Sequence, residues 1–270
     1  MKDKKSRIVV IRITTIIKVL LIIVFTMTIL YLLFYFYNSY KNKKLYDYLF
    51  EEIKIEQYIV KEEIIENITK EEIPKVISEC VEKVKRLQQE NEDVKGWISI
   101  EGTVINYPLL QTADNDYYLT RNYKKEKSKY GSIFINCNSN IKDTNSNIII
   151  YGHNMKDKQM FGELLKYKDK AYYKLHRIIK IVTEDIESEY QIVCVFKSRI
   201  FNDNEIGMFK YYQYYNFNNE NKYNEYLSNC KKIQLYDTGV VAKYGEQIIT
   251  LVTCEYSQDK GRIVIVAKRI

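Results

Sequence analysis

Hydrophobic residues form one unbroken block near the N-terminus. Residues 19–37 are nineteen in number and include no charged side chain. At 1.5 Å per residue a helix of that length spans roughly 28 Å, about the thickness of a hydrocarbon core. The block ends in aromatic and polar residues, whereas a cleaved signal peptide has a shorter apolar run that ends in small residues. The pattern therefore predicts an uncleaved transmembrane helix rather than a signal peptide.

Basic residues are concentrated at the N-terminal end of the chain. Residues 1–44 have a net charge of +8, and because the whole chain is +7, the remainder sums to −1. The more basic flank of a membrane helix stays in the cytoplasm. We therefore expect a cytoplasmic tail over residues 1–18, a single-pass membrane anchor over residues 19–37, and an extracellular C-terminal bulk. Since the basic excess belongs to the N-terminal 44 residues, it does not indicate a general nucleic-acid-binding surface.

Apolar residues between positions 38 and 93 recur three or four residues apart, which is the spacing of one helix face. Pro74 suits the first turn of a helix that would run to about Glu90, because that turn does not need the missing N–H. We interpret residues 38–93 as a helical stalk and N-terminal helices that pack on the following domain. A partner-binding role is the alternative. The apolar stripe of the second helix would be formed by Ile77, Val81, Val84 and Leu87.

From Gly96 onward the apolar pattern has a period of two. Eight short runs, rich in β-branched residues, are separated by polar turns, which is typical of a barrel or sandwich. A hydrophobic content of 46% supports a sizeable core and excludes a disordered chain. Residues 201–230 form a helix-bearing insertion, of a length that is unusual unless it shapes a site. The predicted strands are 97–100, 104–107, 132–135, 147–151, 178–183, 190–196, 247–253 and 262–268.

Five cysteines and two histidines limit the chemistry that a site can use. No pair of cysteines has C-x-x-C spacing, so a zinc site is not expected. Cys194 lies inside an apolar strand and is predicted to be buried. Cys80 and Cys230 lie on or near predicted helices and are interpreted as structural. Cys137 follows a strand and is a candidate surface thiol.

Cys254 stands at the end of the seventh strand, where a side chain becomes accessible. A polar loop follows, and Arg262 opens the next strand. The simplest connection is an antiparallel hairpin, which would place Cys254 beside Arg262. His153 also stands just past a strand, so a thiol, an imidazole and a guanidinium could converge at one rim. The alternative for His153 is a loop histidine that caps a turn, and that interpretation is preferred for His176.

Several ordered motifs around these residues resemble those of class B sortases. Thr250-Leu251-Val252-Thr253-Cys254, with Arg262 eight residues later, resembles the T-L-x-T-C signature and following arginine of sortases. Tyr151-Gly152-His153-Asn154-Met155 resembles their histidine motif. The resemblance covers roughly residues 94–270. Class B is indicated by Met160-Phe161-Gly162-Glu163-Leu164, Gly96-Trp97-Ile98 with Tyr107-Pro108, Asp114-Asn115-Asp116-Tyr117-Tyr118-Leu119, and Gly131-Ser132-Ile133-Phe134.

The resemblance implies a mainly β fold: an eight-stranded sortase-type β-barrel over residues 94–270, with N-terminal helices, a helix-bearing insertion before the last two strands, and a transmembrane helix. It implies a cysteine transpeptidase on the outer face of a Gram-positive cell membrane. Such an enzyme cleaves the C-terminal sorting signal of a surface protein, an NPxTN- or PxTG-like peptide, after Thr. It then transfers the acyl group from a Cys thioester to a peptidoglycan-precursor amine. The implied partners are these two substrates and the lipid membrane, with no nucleic acid.

The roles of individual residues follow from the same motifs. The resemblance makes Cys254 the nucleophile, His153 the acid/base and Arg262 the residue that stabilises the oxyanion and positions substrate. No metal ion or other cofactor is expected. Two alternatives stay open: a cysteine hydrolase that releases its product to water, and a non-catalytic anchored peptide-binding module in which Cys254 is structural. The resemblance assigns the peptide groove to Tyr151, Asn115, Leu119, Thr253 and Glu255.

Overall fold

A computed structural model describes the backbone of residues 13–65 and 73–270, and the side chains of residues 15–49 and 81–270. Residues 1–12 of the predicted cytoplasmic tail therefore lie outside the described part, as do the side chains of Pro74, Ile77 and Cys80. Contacts between Cα atoms divide the chain into two compact units, Met1–Asp47 and Tyr48–Ile270.

The first described element is one long helix, α1, which spans Ile13–Ile65. Its stretch Thr15–Leu49 has a mean hydropathy of 2.7 in its most apolar window, and none of that window is buried. By length and composition this stretch is able to cross a membrane, in agreement with the predicted anchor. The sequence pattern did not predict that the anchor and the following helix are continuous.

The second helix, α2, spans Ile73–Glu90, as its apolar stripe predicts. Val81, Val84 and Leu87 are buried along one face. Beyond the last turn, the amide of Asn91 donates to the carbonyl of Leu87 at 2.9 Å. The chain then enters the first strand of the barrel.

Eight strands form a closed barrel, which confirms the predicted fold class. Their order around the barrel is β1-β2-β3-β4-β7-β8-β6-β5, and β5 pairs with β1 to close it. The pairs β2–β3 and β4–β7 are parallel, and all other neighbours are antiparallel. The strands are β1 (Val94–Ser99), β2 (Asn106–Leu110), β3 (Ile133–Ile135), β4 (Asn147–Tyr151), β5 (Ile178–Val182), β6 (Glu187–Arg199), β7 (Ile248–Cys254) and β8 (Gly261–Arg269).

The second strand shares the fewest residues with its prediction, because it begins two residues later and continues through a proline, whereas β6 extends three residues beyond its prediction at each end. The turn between β1 and β2 is closed by a hydrogen bond from the amide of Ile100 to the carbonyl of Ile105, so Val104 belongs to the turn. Pro108 lies within β2, opposite Trp97. A proline nitrogen cannot donate to a ladder, which is why the pattern appeared to end before it.

The loop between β4 and β5 holds two short helical elements that were not predicted. A 3-10 helix spans Gly162–Lys168 and is followed by α3 at Lys170–Leu175. The carboxylate of Glu163 accepts a hydrogen bond from the amide of Val104 at 2.7 Å, which ties this 3-10 helix to the β1–β2 turn. Because the contact comes from a residue 59 positions away, local sequence carries no sign of it.

The insertion between β6 and β7 contains a single α-helix among the described residues, α4, at Glu220–Lys232. The earlier part of the insertion is irregular apart from a 3-10 turn at Tyr211–Gln213, because turn-forming Asn, Asp and Gly residues interrupt its apolar spacing. Four buried aromatic side chains of the insertion pack on β4, β6, β7 and β8, and we call them the aromatic cluster. They are Tyr211, Phe217, Tyr223 and Tyr226.

Candidate active site

The strands β4 and β7 are parallel neighbours, so the loops that follow them begin side by side at one rim of the barrel. Tyr151 lies opposite Val252 in the ladder. Beyond the ladder, the hydroxyl of Thr253 donates to the carbonyl of Gly152 at 2.7 Å. The side-chain amide of Asn154 donates to the carbonyl of Cys254 at 2.9 Å. His153 and Cys254 therefore leave their strands at the same level of the barrel.

Arg262 enters the same rim from β8. The antiparallel ladder between β7 and β8 pairs Cys254 directly with Arg262, as the predicted hairpin requires. The guanidinium donates through Nη1 to the carbonyls of Lys260, at 3.2 Å, and Gly261, at 2.9 Å. Both Cys254 and Arg262 are partly exposed, so both are reachable from solvent. The thiol and the guanidinium thus share one end of one hairpin.

His153 is oriented by a backbone carbonyl from a distant loop. Its Nε2 lies 2.7 Å from the carbonyl oxygen of Leu119, which belongs to a 3-10 turn at Tyr117–Leu119. The imidazole is partly exposed. The loop that carries Leu119 therefore joins the rim that β4, β7 and β8 form.

Tyr151 and Asn115 are linked through the loop that follows β3. The hydroxyl of Tyr151 accepts from the side-chain amide of Asn136 at 3.1 Å. The next residue, Cys137, donates its backbone N–H to the side-chain oxygen of Asn115 at 2.9 Å. Burial raises the pKa of the Tyr151 hydroxyl, and the positive charge of Arg262 partly offsets that effect. The two predicted groove residues Tyr151 and Asn115 thus border one loop beside the site.

Thr253 and Glu255 flank Cys254 in sequence but are buried, with 2% and 4% of their surfaces exposed. The carboxylate of Glu255 pairs with Lys168 and, at 3.6 Å, with Lys197. It also accepts from the amide of Ser257 at 3.1 Å. Burial alone would raise the pKa of this carboxyl, but its lysine and serine partners outweigh burial and lower the pKa to about 2. Glu255 is therefore a buried anion that ties the β7–β8 loop to its neighbours.

The remaining described cysteines occupy different settings. Cys194 and Cys230 are buried, as the sequence predicts for Cys194. Burial raises the pKa of Cys194 to about 12 and that of Cys230 well above its usual value, so both sulfurs stay protonated at neutral pH. Cys137 is partly exposed, as expected of a surface thiol. His176 ends α3, and its Nδ1 lies 2.8 Å from the carbonyl of Glu101.

Three residues of this rim lie outside the predicted set. Asn154 and Asn136 each follow a strand directly or within three residues, and a polar side chain at a strand end was the available signal. Tyr211 belongs to the aromatic cluster, and its buried hydroxyl has no hydrogen-bond partner among the residues that the structure describes. Burial raises the pKa of this hydroxyl, and the charge of Arg262 opposes the rise. Tyr211 therefore places the insertion beside Tyr151 and Arg262.

Comparison with known proteins identifies what this arrangement is similar to. Residues 98–270 match the family model described as Sortase domain. Sortase B of Listeria monocytogenes is 36% identical over 197 residues, which are 72% of this chain and 77% of that protein. Sortase B of Staphylococcus aureus is 32% identical over 186 residues, which are 68% of this chain and 73% of that protein.

Solved structures give the same result. The Staphylococcus aureus sortase B–substrate complex aligns with a TM-score of 0.68 at 27% identity, covering 86% of this chain and 98% of that one. The structure of Clostridium perfringens sortase B aligns with a TM-score of 0.61 at 33% identity, covering 69% of this chain and 98% of that one. The similarity therefore extends over nearly the whole length of both solved chains.

Proposed function

The chain belongs to the sortase family of cysteine transpeptidases, in its class B, and we propose that Cys254, His153 and Arg262 perform its reaction. One observation carries the proposal. The ladder pairs Cys254 with Arg262, while β4 delivers His153 to the level of Cys254. A nucleophile, a proton carrier and a permanent positive charge are the groups that acyl transfer needs.

The first half of the reaction forms a thioester. The sulfur of Cys254, as a thiolate, attacks the carbonyl carbon of the Thr residue in the sorting signal. The C–N bond after Thr breaks, and His153 gives a proton to the leaving amine. A negative charge develops meanwhile on the carbonyl oxygen. The Arg262 guanidinium keeps its charge at any working pH and presents a planar fork of donors to that oxygen.

The second half transfers the acyl group to an amine. The incoming amine attacks the thioester carbon, His153 takes the proton that this amine loses, and the C–S bond breaks to regenerate the thiolate. The two proton transfers are opposite in direction, so one imidazole serves both. Transfer to an amine rather than to water also requires that water be kept from the thioester, and we assign that role to the insertion, residues 201–230.

The substrates follow from the family. Staphylococcus aureus sortase B, with which this chain aligns, has been solved in complex with its substrate. We infer that this chain likewise takes a sorting-signal peptide, in a groove bordered by Tyr151, Asn115 and Leu119, with Thr253 and Glu255 supporting it. The inferred acceptor is a cell-wall peptidoglycan-precursor amine. The apolar helix and its basic flank support a single-pass anchor, a cytoplasmic N-terminus and an extracellular residue range 94–270.

Mass spectrometry tests the chemistry directly. The full chain, purified in detergent micelles, is incubated with candidate sorting peptides, first without and then with an amine acceptor. We expect a thioester adduct on Cys254 in the first case and an amine-linked peptide in the second. An adduct that resolves only to free acid when amine is present would identify a hydrolase instead.

Cysteine variants supply the matched control. Cys254→Ala should abolish the adduct and the product, whereas Cys137→Ala, which removes the other described thiol that is partly exposed, should leave both unchanged. Product formation by Cys254→Ala, or an adduct that maps to Cys137, would contradict the proposal.

A further inference from the structure

The two histidines of this chain are each held by a backbone carbonyl, but through different ring nitrogens. In His153 it is Nε2 that lies 2.7 Å from the carbonyl oxygen of Leu119. In His176 it is Nδ1 that lies 2.8 Å from the carbonyl oxygen of Glu101. A carbonyl oxygen only accepts hydrogen bonds, so the nitrogen that faces it has to carry the hydrogen. The neutral imidazoles are therefore fixed as opposite tautomers, with the hydrogen on Nε2 in His153 and on Nδ1 in His176.

We propose that His153 keeps the hydrogen on Nε2 throughout the reaction and exchanges its catalytic proton only at Nδ1. In this scheme the carbonyl of Leu119 is a positioning group. The inference rests on the acid/base role proposed above for His153. The Nδ1–H hydrogen passes to the leaving amine as the thioester forms, and Nδ1 later takes a hydrogen from the attacking amine. The N–H bond at Nε2 neither forms nor breaks.

Gly131 makes this arrangement possible. Its φ of +58° lies in the left-handed region, which residues other than glycine rarely adopt. A Cβ atom at this position would lie 2.8 Å from the carbonyl oxygen of Leu119 and 3.0 Å from Cδ2 of His153, the carbon bonded to Nε2. It would also lie 2.6 Å from the carbonyl oxygen of Tyr118. The carbonyl and the imidazole therefore meet over a position at which only hydrogen fits, so Gly131 is a second positioning residue.

The turn that carries the Leu119 carbonyl is fixed by hydrogen bonds of the residue before it. The hydroxyl of the preceding residue, Tyr118, donates to the carboxylate of Asp93 at 2.8 Å and accepts from the side-chain amide of Asn91 at 2.9 Å. The carbonyl of Tyr118 accepts from the amide of Ser132 at 2.9 Å. Tyr118 is buried, with 1% of its surface exposed. A fixed acceptor selects one tautomer more strongly than a mobile one, because no reorganisation is needed to keep the hydrogen bond.

Nitrogen NMR determines the tautomer of each histidine and does not depend on an activity assay. The full chain is labelled with ¹⁵N-histidine and its long-range nitrogen–carbon-proton correlations are recorded in micelles at a pH at which both imidazoles are neutral. We expect pyrrole-type Nε2 and pyridine-type Nδ1 for His153, and the reverse for His176. The variant His176→Asn assigns the two spin systems. A pyridine-type Nε2 in His153 would overturn the proposal, even if the thioester on Cys254 forms as described.

A pair of glycine variants tests the positioning role. Gly131→Ala places a methyl group between the Leu119 carbonyl and the imidazole. We expect kcat for thioester formation to fall by at least roughly tenfold, with KM changed by less than about threefold, because the imidazole is misaligned while Tyr151 and Asn115 of the peptide groove are not among the groups nearest to the new methyl group. The Nε2 signal of His153 should also lose its pyrrole-type shift.

Gly102→Ala is the matched control. Gly102 has a φ of +73°, and a Cβ there would lie 2.9 Å from Cε1 of His176. The substitution therefore imposes the same backbone strain beside the other carbonyl-held histidine, away from the proposed chemistry. We expect it to reduce melting temperature, though by less than Gly131→Ala, whose Cβ also meets two backbone oxygens, and to leave kcat unchanged. Equal losses of kcat in both variants, or an unchanged His153 tautomer in Gly131→Ala, would overturn the positioning role of Gly131.

Discussion

At the scale of single residues, chemistry here depends on what surrounds a side chain rather than on its type. Cys194 and Cys254 lie on β6 and β7 of the same barrel, yet burial keeps the first as a thiol while the second is open to solvent at a strand end. Glu255 is next to Cys254 in sequence but serves as a buried ion-pair partner. A substitution at any of these positions is therefore expected to act through its local contacts.

Replacing Arg262 tests whether a planar fork or only a positive charge is required. Arg262→Lys keeps the charge but offers a point donor in place of the fork, so we expect kcat/KM to fall at least roughly tenfold, or about 1.4 kcal/mol. Steady-state kinetics with a sorting peptide measures the loss. Arg269→Lys, on the same strand, should behave like the unmodified chain, and near-normal activity of Arg262→Lys would show that charge alone suffices.

Replacing Glu255 tests its ion pairs with Lys168 and Lys197. Since its folded pKa of about 2 is below the ordinary value of 4.5, the pairs stabilise the fold above pH 4.5, and this stabilisation is lost as the pH falls from 4.5 toward 2. Glu255→Gln should lower the free energy of unfolding at pH 7, because it removes the charge that pairs with the lysines. We expect the loss to be limited to roughly 2 kcal/mol, since the lysine partners are partly exposed. Denaturant unfolding at pH 7 and at pH 3 measures both effects.

The dependence of stability on pH below 4.5 distinguishes loss of the Glu255 ion pairs from a general loss of stability. Glu255→Gln should lose less stability than the unmodified chain between pH 4.5 and 2, since it has one fewer carboxylate to protonate. Glu246→Gln removes a more exposed carboxylate, which pairs with Lys268, and should cost less than about 1 kcal/mol. Equal losses in the two variants would contradict the assignment of Glu255 as the stronger anchor.

At the scale of elements, the insertion is part of the core rather than an appendage. Tyr226 of α4 shares a hydrogen bond of 2.8 Å with the hydroxyl of Thr250 in β7, the strand that ends at Cys254. Replacing the whole of residues 201–230 with a short turn would uncover the aromatic cluster and destabilise the barrel. Single substitutions that keep the packing are therefore the informative way to examine the insertion.

Two buried tyrosines of the aromatic cluster offer a matched pair. The Tyr226 hydroxyl has a partner in Thr250, whereas the Tyr211 hydroxyl has none within the described part of the chain. Tyr226→Phe should cost about 1 kcal/mol of unfolding free energy. Tyr211→Phe should leave stability unchanged or raise it slightly, because it removes an unsatisfied buried group. Thermal or denaturant unfolding distinguishes them, and a larger loss in Tyr211→Phe would show that its hydroxyl has a partner.

Local pattern predicts the elements of this fold well and their pairing poorly. All eight strands follow from period-two runs, and the hairpin between β7 and β8 follows from a short polar loop. The approach of His153 to Cys254 depends on the parallel pairing of β4 with β7, which no local spacing encodes. The contact between the Leu119 carbonyl and His153 could not be predicted from the sequence, because every residue has a backbone oxygen and nothing in the sequence distinguishes this one.

At the scale of the whole molecule, charge and hydropathy divide the chain into an apolar, basic N-terminal part and a remainder, residues 45–270, whose net charge is −1. We expect the full chain to fractionate with membranes and to resist alkaline extraction, and deletion of residues 19–37 to abolish both properties. In intact cells an antibody should reach an epitope tag at the C-terminus but not one at the N-terminus. Access to the N-terminal tag alone would show the opposite topology.

The pairing of β4 with β7 also governs when the proposed site can assemble. Gly152 and Thr253, which join these strands at the rim, are 101 residues apart in the chain. Contacts of such long range form late, after the intervening polypeptide has been made and has closed its loop. While the ribosome still holds the last two strands, the sulfur that we propose as the nucleophile has neither the imidazole of His153 nor the guanidinium of Arg262 beside it. An incompletely synthesised chain is therefore expected to be inactive, and the proposed site assembles only after the last strand has been made.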